Sequence, residues 1–330
     1  MKSFQHIDPS DVAAAVAALQ APEAEAIAGG TDLITVLKNR IREPHLLVNL
    51  KTLPDLTYIR KDPEGVRIGA LSTIDAIENS PLVRDLFPGL SQAAASVGSP
   101  QLRNSGTIGG NLLQSARCWY YRNADIRCWL KGGDTCYARQ GLNRLHAILG
   151  QSPCVAVNPS DLAPALIAVD AAIRVVGKNG PREMPVAALY RLPDIGHRQQ
   201  TALASGELVE ALTLPYPPRD AAGIYLKIME RNTWSFALVS VAVQLYWGAE
   251  EVRDSRIVLG GVAGIPWRAS AGETLLAGRR LDADLIETVA QTAVTEAKPL
   301  AENTYKVTLA RNLLKRALQT LAQPRKSRST

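Results

Sequence analysis

Aromatic residues are scarce in this 330-residue chain, with three Phe, five Trp and nine Tyr making up 5% of it. They form no basic–aromatic repeat, and the formal charge is a modest +6, so nucleic-acid binding is not expected. Long apolar runs are also missing. The longest, Phe236 to Trp247, contains Ser240 and Gln244. A membrane helix needs about 20 apolar residues, so this segment reads as a buried strand and no membrane span is foreseen. The start of the chain, Met1 to His6, lacks the apolar core of a secretory signal. A cytoplasmic location is expected, or a periplasmic one if a signal-bearing partner carries the folded chain across. His6, His45, His146 and His197 are dispersed and form no metal-spaced pair. The absence of Gly-x-Ser-x-Gly and His-Glu-x-x-His leaves no hydrolase elbow and no zincin site. Four cysteines are too few for a disulfide scaffold of this length.

What remains is ordinary globular composition, 46% hydrophobic and 21% charged, in a chain long enough for two or three domains. Spacing predicts a helix over Asp11–Leu19 with Asp8 or Ser10 as N-cap, a strand at Glu25–Ala28, a helix from Leu33 to Arg40 and a strand at Leu46–Leu50. This is a small βαβ-like unit. Leu56–Arg60 and Val66–Ala70 read as hairpin arms around Asp62-Pro63-Glu64-Gly65. Helices follow over Thr73–Asn79 and Pro81–Val97, the second broken near Pro88-Gly89. Residues from Gln114 to Pro153 show no period, then a strand is expected at Val155–Val157, a helix at Leu162–Val169 and strands at Ala171–Val176 and Leu208–Leu214. Pro215-Tyr216-Pro217-Pro218 marks a domain boundary. Beyond it, strands at Ile224–Met229, Ala237–Leu245 and Glu251–Val262 precede helices at Ala269–Leu276, Asp284–Glu296 and Tyr305–Leu321, an α+β order with helices on one sheet face.

Two glycine loops stand out, Ile27-Ala28-Gly29-Gly30-Thr31-Asp32 and Thr107-Ile108-Gly109-Gly110-Asn111. Paired glycines let backbone N–H groups approach a phosphate with no Cβ in the way, and Thr31, Thr107 and Asn111 add side-chain donors. Neither loop carries the Lys-Ser/Thr of a Walker A motif or the Gly-x-Gly-x-x-Gly of a dinucleotide fold, which disfavours a P-loop and a Rossmann NAD site. Either loop alone is compatible with a plain tight turn. Two of them, with Asn158-Pro159-Ser160-Asp161 as a third polar turn, point to a diphosphate cofactor.

Cys118, Cys128, Cys136 and Cys154 are spaced Cys-x9-Cys-x7-Cys-x17-Cys, unlike the tight pairs of zinc fingers and ferredoxins. Such ligands must come from separate turns of a wrapping loop, which Gly132-Gly133 and Gly141 make easy, with Arg117, Arg127 and Arg139 nearby for a negatively charged centre. A [4Fe–4S] cluster, a Cys₃His zinc site using His146, disulfides and free thiols all stay open on these residues. Trp119-Tyr120-Tyr121 and Trp129 are compatible with a shield over a metal centre or a partner-facing patch, and a small packed core under the loop is the expected reading.

The order Ala-Gly-Gly-Thr-Asp-Leu, then Leu102-Arg103-Asn104-x-Gly-Thr-Ile-Gly-Gly-Asn-Leu, then Pro159-Ser160-Asp161-Leu162, then Tyr225-Leu226-Lys227 and Phe236 to Ala242 resembles the FAD-binding subunits of molybdenum hydroxylases. That family includes xanthine dehydrogenases, carbon monoxide dehydrogenase and aldehyde oxidoreductases. The likeness spans essentially residues 1–322. With its cysteine insertion the chain is similar to the flavin subunit of bacterial periplasmic aldehyde oxidoreductases, and more distantly to that of 4-hydroxybenzoyl-CoA reductase. Both carry an extra [4Fe–4S] cluster.

The resemblance implies an α+β protein: a two-subdomain FAD-binding fold of the PCMH, or vanillyl-alcohol-oxidase, type, followed by a C-terminal domain of the CO dehydrogenase flavoprotein type. It divides the chain into 1–58, 59–215 with an iron–sulfur insertion at 114–155, 216–322, and a disordered basic tail at 323–330. It implies FAD held by Ala26, Ile27, Ala28, Gly29, Gly30, Thr31, Asp32, Leu33, Gly98, Leu102, Thr107, Gly110, Asn111 and Leu113, with Asp161 on the ribityl or ribose hydroxyls. Val209 and Lys227 would lie near the flavin ring, where a lysine's charge stabilises the reduced anion; read without the family, Lys227 is a surface residue at a strand edge. The four cysteines become ligands of a [4Fe–4S] cluster. No catalytic residue for substrate oxidation is implied in this chain. Its partners would be a [2Fe–2S] small subunit, a molybdenum-cofactor large subunit and an external electron acceptor. Two competing functions remain, a self-contained flavin oxidase and a non-enzymatic metal-stapled assembly protein.

Overall fold

The computed structural model describes residues 1–323. The expected basic tail lies outside the described residues beyond Gln323. β1 (Gln5–Ile7), α1 (Val12–Ala18), β2 (Ala24–Ile27), α2 (Leu33–Lys38) and β3 (Leu46–Asn49) form the first unit, a parallel sheet of order β1-β3-β2 with helical crossovers. β1 is short and mostly exposed, so no apolar alternation announces it. The cap of α1 is neither Asp8 nor Ser10 but Asp11, whose carboxylate accepts from Ala14 N at 2.8 Å. Asp8 is drawn off by Asn49, whose Nδ2 donates to it at 2.8 Å, and Ser10 donates to Asp11.

The second unit runs through β4 (Ile59–Asp62), β5 (Gly65–Gly69), α3 (Ile74–Asn79), α4 (Pro81–Leu86), α5 (Pro88–Ala95), α6 (Pro100–Ser105), α7 (Ile108–Leu112), α8 (Leu162–Ala168), β6 (Ala172–Gly177), β7 (Gly180–Pro185), α9 (Val186–Leu189) and β8 (Leu208–Pro215). Its antiparallel sheet has the order β4-β5-β8-β6-β7. Ile68, Phe87, Leu90, Ile108, Leu166 and Leu212 form its buried centre. Pro81 and Pro88 each begin a helix, which is why the Pro81–Val97 stretch divides. Val155–Val157 forms no strand. Its backbone groups are divided instead, Val155 O accepting from Ala147 N while the adjacent Asn158 N donates to Ala263 O. β7, a mostly exposed edge strand with prolines near both ends, carries no apolar alternation to reveal it.

The third unit holds β9 (Ala221–Ile228), β10 (Val239–Trp247), β11 (Glu251–Gly260), β12 (Trp267–Arg268), α10 (Ser270–Leu276), β13 (Arg279–Arg280), α11 (Ala283–Thr292) and α12 (Tyr305–Ala322). The sheet order is β12-β11-β10-β9, with β13 also on β11. Val239, Val241, Val243 and Leu245 face α10 to α12, while Ala242 on the opposite face joins Tyr225 and Val258 in the core of the second unit. Burial on both faces is the reason Phe236 to Trp247 reads as a continuous apolar run. Ala310, Leu313, Leu314, Ala317 and Leu318 make the buried stripe of α12, spaced at three and four residues. Each of its leucines stabilises by about 1.5–3 kcal/mol relative to exposure.

Residues 114–155 contain only the short 3₁₀ turns Trp129–Lys131 and Tyr137–Arg139. The insertion is clamped from outside: Arg198 donates to the carbonyls of Trp129 and Gly133 at 2.7 Å each and stacks on the Trp129 ring. Among the described residues no helix is long and apolar enough to cross a membrane.

Candidate functional site

The glycine loops meet backbone to backbone. Gly29 follows β2, and a Cβ added there would lie 2.0 Å from Ser105 O. Ser105 Oγ in turn donates to Gly29 O at 3.0 Å. Gly30 has φ +70°, the left-handed conformation that turns the chain from β2 toward α2. In the second loop Thr107 caps α7, its hydroxyl accepting from Gly110 N at 3.1 Å. A Cβ on Gly110 would meet only Thr107 Oγ1, at 3.0 Å, so this glycine fronts open space.

That space is a cavity of about 560 Å³ between the first two units, with Trp234, Ser235 and Phe236 of the third also on its wall, a volume typical of cofactor sites. Every residue the resemblance assigned to the cofactor lines it except Ile27 and Lys227. Asn111 faces it with half its amide committed: its Oδ1 accepts from Ser160 Oγ at 2.6 Å, tying the second loop to the Asn158–Asp161 turn. Thr107 can still donate, since its oxygen accepts from Gly110. The glycine faces, the threonine hydroxyls and the buried Asp161 form a cradle that FAD fits: small where a diphosphate must approach, polar where hydroxyls must be held.

Lys227 is not a surface residue. It lies on the edge strand β9, yet its side chain is 2% exposed. Its Nζ donates to Asp161 Oδ2 at 2.7 Å and to Ser96 O at 3.0 Å. Tyr225, two residues away on the same strand face, donates its hydroxyl to Asp161 Oδ1 at 2.9 Å. Burial pushes the Asp161 carboxyl above its ordinary value, although Lys227 and Tyr225 pull it down. Lys227 therefore reaches the cavity through Asp161 rather than by lining it.

The side chain of Asp32 does more than its place in a glycine loop suggests. Arg117 and Arg122 donate to its Oδ1 at 2.8 and 2.7 Å, and Ser115 N donates to Oδ2 at 2.8 Å. Burial alone would raise the carboxyl, but the two guanidiniums and the Ser115 N–H hold it below its ordinary value. Arg117 thus turns to the cofactor cavity, where it stacks on Phe236, rather than to the cysteines. Arg42, Arg117 and Trp234 are cavity residues that no local motif assigned to the cofactor, and Phe236, quoted only as part of a strand motif, joins them.

All four cysteines are free, so the disulfide alternative falls away. Their side chains line one apolar cavity of about 10 Å³ with Tyr121, Trp129 and Ala156. No histidine or carboxylate shares it. Nearby backbone N–H groups favour the charged form of three of the sulfurs: Tyr121 and Tyr120 at Cys118, Val155 and Ala138 at Cys136, and Ala156 at Cys154. The neighbouring Cys154 thiol lowers Cys136, and Cys154 is raised in turn. Burial pushes the Cys118 thiol up to about 11. His146, the fourth ligand of the zinc alternative, stands outside this cavity with its Nε2 3.1 Å from Cys118 Sγ. Burial and the charge of Lys306 pull its imidazole down to about 4. Among the described residues no group of three or more His, Cys, Asp or Glu side chains is arranged to hold a metal ion. In one respect the donor set matches an iron–sulfur centre, since it consists of soft sulfur donors alone. Trp129 packs with Ala116, Cys154 and Ala156, and Tyr120 with Ala138 and Val155, as small cores under the loop.

Two family profiles cover the chain. The FAD binding domain in molybdopterin dehydrogenase matches residues 2–217, and the CO dehydrogenase flavoprotein C-terminal domain matches residues 224–321. The aldehyde oxidoreductase FAD-binding subunit PaoB of Escherichia coli (strain K12) is 36% identical over 95% of this chain and 96% of its own length. The carbon monoxide dehydrogenase medium chain of Hydrogenophaga pseudoflava is 26% identical over 96% of each. Among solved structures, a Cu,Mo-CO dehydrogenase chain superposes with a TM-score of 0.77 at 25% identity, covering 96% of this chain and 97% of that one.

Proposed function

The chain belongs to the FAD-binding subunits of the molybdenum hydroxylase family, and from that premise we propose that it carries electrons rather than oxidising a substrate itself. In this reading it receives electrons from a [2Fe–2S] small subunit, fed by a molybdenum-cofactor large subunit that oxidises an aldehyde, and passes them to an external acceptor. The observation that carries it is the single cavity of about 560 Å³ onto which both glycine loops and Asp161 converge. FAD supplies electron storage in one- and two-electron steps when bound there. The Gly29–Gly30 and Gly109–Gly110 backbones admit the diphosphate, and the Thr107 hydroxyl donates to it. Asp161, held by Lys227 and Tyr225, accepts from sugar or ribityl hydroxyls. Residues 1–58 and 59–215 act as the two jaws. The aldehyde assignment draws on PaoB, and the multi-subunit assembly on relatives described as medium chains.

The same reading makes Cys118, Cys128, Cys136 and Cys154 the ligands of one [4Fe–4S] cluster. Its support is that the four thiols, with no histidine or carboxylate among them, line one apolar cavity. At about 10 Å³ that cavity holds roughly one water-sized probe, so these side chains must part to take a cluster. The test is the visible spectrum and metal content of the anaerobically purified full chain. Flavin bands, about four irons per chain and little zinc are expected, with dye reduction by a strong reductant but no aldehyde oxidation. Steady aldehyde turnover by the single chain, with molybdenum shown absent, would overturn the electron-carrier role. Stoichiometric zinc without iron would overturn the cluster.

A further inference from the structure

We propose that His146 is the side-chain hydrogen-bond donor that sets the reduction potential of the iron–sulfur cluster at Cys118, an inference that rests on reading the four cysteines as cluster ligands. His146 Nε2 lies 3.1 Å from Cys118 Sγ, and the residue is 2% exposed. It does not line the thiol cavity, so it addresses the sulfur from behind. Its Nδ1 is buried with no partner, which leaves the sulfur as the polar contact of the ring. The ring is fixed in place. Trp119 packs edge-on against it at 5.2 Å and 77°, and Tyr120 lies at 6.5 Å. Its backbone is held from the third unit, with Asn303 Nδ2 donating to His146 O at 3.1 Å and Lys306 Nζ at 3.0 Å. Lys306 also donates to Leu145 O and Gly261 O, so the start of α12 locks the segment that carries the histidine.

The direction of the effect follows from proton counting. A ligating Cys118 is a thiolate and has no proton to offer, so in the contact the imidazole N–H must donate. A donor favours the sulfur that carries more negative charge, and reduction adds negative charge to the cluster. The contact therefore stabilises the reduced state and raises the potential, as hydrogen bonds to cluster sulfurs do generally. His146 is a positioning and tuning residue here, not a ligand.

The test compares the full chain with His146→Phe, which keeps a ring for Trp119 but removes the donor, and with His146→Gln, which keeps a side-chain N–H. Iron per chain and the midpoint potential of the cluster, followed by electron paramagnetic resonance in a dye-mediated titration, are read for each. All three are expected to hold the same iron. At a fixed ambient potential, His146→Phe should show a reduced-to-oxidised ratio about tenfold lower, a shift of about 59 mV for a one-electron couple, with His146→Gln returning toward wild type. Loss of iron in His146→Phe, with His146→Gln loaded at the wild-type potential, also supports the donor role. Loaded His146→Phe at the wild-type potential overturns it, as does a lowered potential or lost iron in both variants. Wild-type protein without iron overturns the cluster reading itself, a separate result.

Discussion

Gly110→Val separates cofactor binding from folding. A Cβ at Gly110 finds Thr107 Oγ1 at 3.0 Å and no other neighbour within 4 Å, so the added methyl groups project into the cavity rather than into protein. Thr107 must yield by a few tenths of an ångström. Gly110 lies inside α7, where valine is a somewhat better helix former than glycine, so the unliganded fold should lose little. Forcing branched carbons into a packed site costs about 1–3 kcal/mol, or roughly a 5- to 150-fold weaker Kd for FAD. The contrasting change is Gly29→Ala, whose Cβ would sit 2.0 Å from Ser105 O and 3.1 Å from Gly106 Cα, both backbone. There the two loops must separate, so stability and flavin should be lost together. Flavin content, the Kd from quenching of flavin fluorescence, and the Tm of the apoprotein distinguish the cases. If Gly110→Val binds FAD within a factor of about two of wild type at unchanged Tm, the cradle is misassigned.

Lys227→Met removes one partner of a buried ion pair and leaves Asp161 with Tyr225 alone, so it should cost about 3–5 kcal/mol in denaturant unfolding. Adding Asp161→Asn should recover part of that loss, and a single-variant cost below about 1 kcal/mol would show that the pair is not buried in solution. Asp32 titrates below its ordinary 3.8 because Arg117 and Arg122 outweigh burial. Its contribution is therefore full above 3.8 and is lost as pH falls through the depressed folded value. The stability gap between wild type and Asp32→Asn should shrink as acid protonates Asp32, whereas a gap constant from about pH 6 to about pH 3 would remove the arginine pairs as its cause.

What could be read from the sequence and what could not divide along a physical line. The glycine pairs were legible because their constraint is local: glycine takes the +70° of Gly30 at least cost, and no side chain fits the backbone contact of Gly29 with Ser105. The stripe of α12 was legible from its spacing alone. The burial of Lys227 was not, because the third sheet, packing its second face on the core of the second unit, encloses a residue that sequence places on an edge strand. The cap of α1 was missed for a similar reason, since Asp8, Ser10 and Asp11 are chemically alike and a distant Asn49 decides among them. Asp32 shows the same limit most sharply, because Arg117 and Arg122 reach it from far along the chain. That contact has a consequence for how the two candidate centres relate. Arg117 directly precedes Cys118, so where Cys118 sits fixes where an ion-pair partner of the first glycine loop sits. Ser115 N and Arg122 grip the same carboxylate from either side of that cysteine. The cysteine segment, irregular as it is, forms part of the cavity wall, and a change that displaces Cys118 is transmitted to the loop expected to hold the diphosphate.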